Sequence, residues 1–164
     1  MPEGLAAQPY HAAAGLDLTA AGELIARVES AAENAAAAGL RALSVAGLAE
    51  GGLSVAGLAE AGQAGAVRAV AVVVKPVAVP DDLAGILRSH AWMHAAEGVL
   101  YRQAVLAAAQ ECGWTPRAVE RSSLPAAESA LAVLGRAAGR PWRQIEKDAA
   151  RAALAILAGT HTPR

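Results

Sequence analysis

The run AVRAVAVVVKPVAV at residues 66–79 most narrows the folds open to this chain. Valine is branched at Cβ, so it loses rotamer freedom in a helix and packs well on a pleated surface. The run therefore predicts a strand, and it is too short for a membrane helix. Pro76 lacks the N–H that a ladder needs, which places the second half of the run at an edge or a bend. After it the chain reads mainly as helix. A strong strand set among helical segments argues for α/β over an all-helical alanine-rich bundle.

The material for a core is unusual. Alanine fills 46 of the 164 positions, phenylalanine none, and the aromatics are Tyr10, Trp92, Tyr101, Trp114 and Trp142. With so few bulky groups, good packing requires backbones to approach closely. The same smallness leaves apolar surface, because only 14 basic and 15 acidic residues are available to cover it. Apolar patches mark association sites, so a homo-oligomer is expected, with residues 17–38 as the contact. The net charge of −1 argues against a protein that coats nucleic acid, although a local basic stripe stays open. Cys112 stands alone and forms no internal disulfide. The first fourteen residues lack the basic and apolar regions of a signal peptide, and no membrane span is evident. A soluble, cytoplasmic protein is the resulting expectation.

Along the chain, residues 1–15 carry Gly, Pro and Ala without periodicity and read as a flexible arm. Residues 16–164 then form one α/β domain. Asp17 or Thr19 offers a cap for a helix over 16–39, with Leu24, Ile25 and Val28 on one face and Gly39 as its stop. LSVAGLAE occurs at 43–50 and again at 53–60 across Gly51-Gly52. This pattern suits a hairpin with a two-residue turn, or a neutral duplication. Pro80-Asp81-Asp82 starts a helical pattern that runs to Glu111, as one helix or as two broken near Ser89. A short strand follows over 117–121, after a turn at Thr115-Pro116. Two more helices follow, over about 126–138 and from Pro141 to about Ala158. The order is a helix, three strands, a long helix, a fourth strand and two helices, which predicts a mixed sheet with helical cover.

Chemistry concentrates at His90-Ala-Trp-Met-His94-Ala-Ala-Glu97. Offsets of zero, four and seven fall within about 60° around a helix, so the three side chains share a face. Two imidazoles one turn apart can chelate a divalent ion, and a carboxylate on the next turn can ligate it or act as a base. The plainer reading makes them surface or hydrogen-bonded histidines. Tyr101 continues the face, either as a partner of Glu97 or as a packing aromatic. In the last helix, Glu146 and Asp148 suit the positive end of the helix dipole. They are also candidates to point back at the histidines. No phosphate-binding glycine loop, CxxC pair or serine-hydrolase pattern occurs.

The segment MHAAEGVLYRQAVLAAAQECG followed by TPRAVERSSL, with the order of elements over 41–158, resembles the ribonuclease H-like superfamily. In that fold three antiparallel strands lead to an acid-bearing helix, a fourth strand and further helices. The resemblance implies a ribonuclease H-like mixed sheet with helical cover, here with an extra N-terminal helix. It makes Glu97 the helix acid, Asp148 the acid of the last helix and Glu120 the acid near the end of the fourth strand. It implies a divalent ion (Mg, Mn or Zn) and phosphodiester hydrolysis on nucleic acid, with His90, His94 and Glu97 at the metal. Where the family carries an aspartate in its first strand, residues 41–50 offer only Glu50. A non-catalytic interaction or assembly module is the alternative.

Overall fold

The computed structural model describes residues 5–49 and 67–159, with the side chains of 44–49 excepted. In chain order the elements are α1 (Pro9–Ala13), α2 (Leu18–Ala49), β1 (Ala69–Val74), α3 (Leu83–Leu87), α4 (His90–Glu111), β2 (Thr115–Glu120), a 3-10 turn (Arg121–Ser123), α5 (Glu128–Ala138) and α6 (Gln144–Gly159). The fold is α/β and mostly helical. Among the described residues its sheet has two parallel strands, in register from Ala69 opposite Thr115 to Val74 opposite Glu120. Parallel neighbours need a long crossover, and here α3 and α4 supply it, making a β–α–β unit. α4 packs on both strands, α6 on β1, and α5 on α6.

The three-strand meander expected before α4 is not what the described residues form. Leu43–Ala49, the first copy of the repeat, continues α2 as helix, and the second copy lies outside the described residues. Gly39 does not stop α2. A glycine inside a helix costs about 1 kcal/mol relative to alanine, and the alanines and leucines on both sides outweigh that. Residues 9–13 of the expected arm form α1, with Pro9 and Ala13 buried. The side chain of Asp82 caps the start of α3 by accepting from Gly85 N at 2.6 Å, and the chain breaks between α3 and α4, where Ser89 caps α4. β2 takes in Thr115-Pro116, the pair expected to turn. A proline is tolerated there because each strand of a two-strand sheet has a free edge. α6 begins three residues after Pro141.

Gly113 shows how α4 is aimed into β2. Its φ of +75° is left-handed, the Gly113 N–H donates to Gln110 O at 2.9 Å, and the Trp114 N–H donates to Ala109 O at 2.9 Å. These are the two bonds of a Schellman cap, which only glycine closes without strain. The next amide, Thr115 N–H, already donates to Arg68 O just before β1.

The core lies between α2 and α4. α2 buries Ala21, Ile25, Val28 and Ala32, while α4 buries Met93, Ala96, Leu100, Ala104 and Ala108; both are helical stripes. Alanine on both sides lets the two backbones close up, with Ile25 and Leu100 as the larger groups in the shared cluster. Tyr10 of α1 packs against this cluster and against the neighbouring one formed by Ile86, Met93 and Ala96. The short first helix is therefore tied into the core.

Gly135 in α5 gives a direct test of packing beyond this core. A Cβ built there would stand 2.6 Å from Trp142 Nε1 and 2.8 Å from its Cδ1. Alanine normally gains about 0.5–1 kcal/mol over glycine in a helix. Here the rigid indole must shift, and overpacking of that kind costs about 1–3 kcal/mol. Gly135→Ala is expected to lower stability, by about 1 kcal/mol, in urea unfolding followed by tryptophan fluorescence.

Candidate metal centre

Glu97 sits in the buried stripe of α4, one turn before Leu100, with 8% of its side chain exposed. A buried carboxylate must find partners, because leaving it unpaired costs several kcal/mol. Its main partner comes from α1. His11 Nδ1 lies 2.9 Å from Glu97 Oε1, and the His11 backbone N–H points at the same oxygen at 3.4 Å. Tyr101, one turn beyond Glu97, donates its hydroxyl proton to Ala7 O at 2.7 Å and so holds the segment leading into α1. The aromatic residue on this face is a clamp for the N-terminal segment. Burial, then the charge of Glu97, raises the Tyr101 phenol above its ordinary value. Tyr10 is raised by burial, then by Glu29 and Glu97.

A neutral His11 ring that donates from Nδ1 to the carboxylate has Nε2 as its lone-pair nitrogen. That nitrogen is buried and has no hydrogen-bond partner among the described residues. His11, His90 and His94 form a group in which each offers one ring nitrogen, all within 4.8 Å of one another. The rings meet at centroid distances of 4.8 Å for His11–His90, 4.4 Å for His11–His94 and 4.5 Å for His90–His94. Zinc–nitrogen bonds of about 2.0–2.1 Å place tetrahedral ligands roughly 3.4 Å apart, so the rings need to draw in slightly. His90 and His94 are exposed, and their side chains are free to rotate into place.

These residue types could hold a metal ion. Three neutral imidazoles suit a zinc-class ion and leave a fourth position for water. A carboxylate behind one imidazole fixes its tautomer and raises its basicity. Glu97 stands in that supporting place for His11, and its other oxygen lies 3.6 Å from His94 Nδ1.

The remaining expected site residues lie elsewhere. Asp148 on α6 accepts from Gln144 Nε2 at 2.6 Å, with Arg121 Nη2 at 2.5 Å and Arg151 Nη1 at 3.5 Å. Glu120 at the end of β2 is exposed and accepts from Ser122 Oγ at 3.3 Å. Glu146 pairs with Arg143 on its own turn. Neither Asp148 nor Glu120 belongs to the histidine group. Sequence reasoning set His11 aside because it falls in a stretch without periodicity. The one local signal was Pro9, which occupies a favoured first helical position.

The Asp148 contacts have a pH consequence. The Gln144 hydrogen bond, helped by Arg121 and Arg151, holds the Asp148 carboxyl below the usual carboxylate range against the opposing effect of burial. A carboxylate lowered on folding adds stability above its unfolded value, about 3.9, and loses it as pH falls through the lower folded value. The stability gap between wild type and Asp148→Asn is therefore expected to be full at neutral pH. It should narrow in urea titrations carried below about pH 4.

Among the described residues no helix is long and apolar enough to cross a membrane. No protein-family model, curated protein or solved structure matches the chain.

Proposed function

We propose that the protein is a mononuclear metal-dependent hydrolase of phosphodiesters, with zinc held by His11, His90 and His94. The observation that carries this reading is the buried, unpartnered Nε2 of His11, fixed by Glu97 and facing two further imidazoles. Three nitrogens favour zinc over magnesium, which prefers an all-oxygen shell. A zinc ion in such a site lowers the pKa of its water to about 7 and so supplies hydroxide at neutral pH. Held by the three histidines, such an ion would supply that hydroxide as the nucleophile for a phosphodiester. Glu97 orients His11 and is a positioning residue.

A nucleic acid substrate and a ribonuclease H-like fold are the finer form of this reading. In their favour are the acid-bearing α4 leading straight into β2, and Asp148 and Glu120 near the sheet. A two-metal centre needs those acids together with Glu97, and the partners of Asp148 and Glu97 argue for the single histidine site instead. The rival reading is an assembly module. It is favoured by Leu18 and Leu43 of α2, which are 55% and 64% exposed.

The deciding experiment is metal analysis of the purified chain, zinc titration, and hydrolysis of bis(p-nitrophenyl) phosphate and of single-stranded DNA and RNA. One zinc per chain and hydrolysis abolished by a chelator are expected. Absence of zinc binding overturns the reading and favours the module, for which light scattering should then show self-association.

A further inference from the structure

A second site stands apart from the histidines, at the carboxyl ends of the two parallel strands. Lys75 directly follows β1, and Arg121 directly follows β2. With Arg102 of α4 they line a cleft of about 630 Å³ between β1 and the first turns of α6. Its floor is the apolar β1 strand, and Ile145, 69% exposed, stands at its side. A smaller recess adjoins it, where Lys75, Arg121 and Ser122 come together.

Three features give the cleft a preference. In open parallel α/β sheets, ligands bind outside the carboxyl ends of the strands. The charge there is positive: Lys75, Arg102 and Arg121 line the cleft with one carboxylate, Asp148, which already takes Gln144, Arg121 and Arg151, while Glu120, beside the smaller recess, takes the Ser122 hydroxyl. Lys75 and Arg102 have no ion-pair partner among the described residues. Arg102 is also given room, since a Cβ on Gly98 would stand 3.0 Å from its Nη1. The guanidinium thus lies over Gly98, the one residue of α4 without a side chain.

We infer that this cleft binds a small organic phosphate. Its phosphoryl group sits among Lys75, Arg102 and Arg121, and its apolar body lies on β1 beside Ile145. A doubly charged, many-acceptor phosphoryl group matches a point charge and two forked guanidinium groups better than a carboxylate does. The apolar floor and cleft size suit a ring-bearing molecule rather than the bare ion. The inference is independent of the zinc site.

Calorimetric titration of the full chain with phenyl phosphate, inorganic phosphate and benzoate tests it, with and without a chelator. Phenyl phosphate should bind saturably and more tightly than the other two. Lys75→Gln and Arg102→Gln should each weaken it about tenfold or more, from loss of a charged hydrogen bond. Gly98→Ala, which crowds Arg102, should weaken it as well. His11→Ala and the chelator should leave it unchanged, so failure of the zinc site does not affect this result. Circular dichroism checks that each variant is folded. Overturning results are no saturable binding, benzoate binding as tightly as phenyl phosphate, or affinity insensitive to both Lys75→Gln and Arg102→Gln.

Discussion

Zinc affinity should fall more than about a hundredfold in His11→Ala, a larger loss than either exposed histidine on α4 would cause. The reason lies in preorganisation. His90 and His94 are exposed and must be ordered by the ion, whereas His11 is held by Glu97 with its free nitrogen already desolvated. Ordering a side chain on binding costs about 0.5–1.5 kcal/mol, and a buried lone pair without a partner gains most when an ion arrives. Removing His11 leaves a two-histidine surface chelate, so any zinc-dependent hydrolysis should disappear with it. The same change strips Glu97 of its partner and will lower the stability of the metal-free chain. Two readouts keep these effects apart. Calorimetry gives the affinity, and the zinc-induced rise in melting temperature reports binding relative to each protein's own metal-free value. Glu97→Gln keeps the volume and an acceptor oxygen, and its loss should be smaller, about 10–100-fold. Unaltered zinc affinity in His11→Ala would remove α1 from the site.

Leu100→Ala should destabilise the fold by about 3–5 kcal/mol, near the upper end of the range for truncating a buried leucine. The magnitude of such a change depends on how far the surroundings collapse into the space left behind. Leu100 is 6% exposed, and its buried neighbours are Ala13, Ala21, Ile25, Ala32 and Ala104. Four of these five are alanines, which have no side-chain torsion with which to refill a void, so refilling falls to Ile25, to the larger side chains packed against the cluster and to backbone movement of α2 toward α4. A loss of this size lowers the melting temperature by roughly 10 °C or more in a chain of this length. Differential scanning calorimetry measures it. A loss below about 1.5 kcal/mol would mean that α2 and α4 slide together easily and the alanine core is plastic.

What could be read from the sequence follows the range over which each signal acts. Val70–Val74 and the stripe from Met93 to Ala108 carry their own periodicity, so β1 and α4 were legible, as was the shared face of His90, His94 and Glu97. The first LSVAGLAE copy misled because Leu, Val, Gly and Ala fit either structure. Its helical state comes from propagation, since adding a residue to an existing α2 needs no new nucleus. Without that copy as a strand, the expected meander has no counterpart among the described residues. Glu120 was grouped with Glu97 on the resemblance alone, and Asp148 also as an acid of the last helix that could point back at the histidines; Arg121 and Gln144 hold Asp148 by contacts that depend on the fold. His11 was invisible for a similar reason, since its partner Glu97 is 86 residues away and nothing local in α1 announces it.

That separation gives the histidine group a second kind of consequence. An ion joining His11 to His90 and His94 would act as a removable staple, closing nearly half the chain into a ring. In a chain-entropy treatment, a permanent link across a loop of this length restricts the unfolded chain by about 4–5 kcal/mol. A metal staple can be opened without breaking a covalent bond, so a chelator would do to this protein what a reductant does to a disulfide-bonded one. Pulled from its N-terminus, the loaded chain should release α1 only at high force, and the stripped chain at low force.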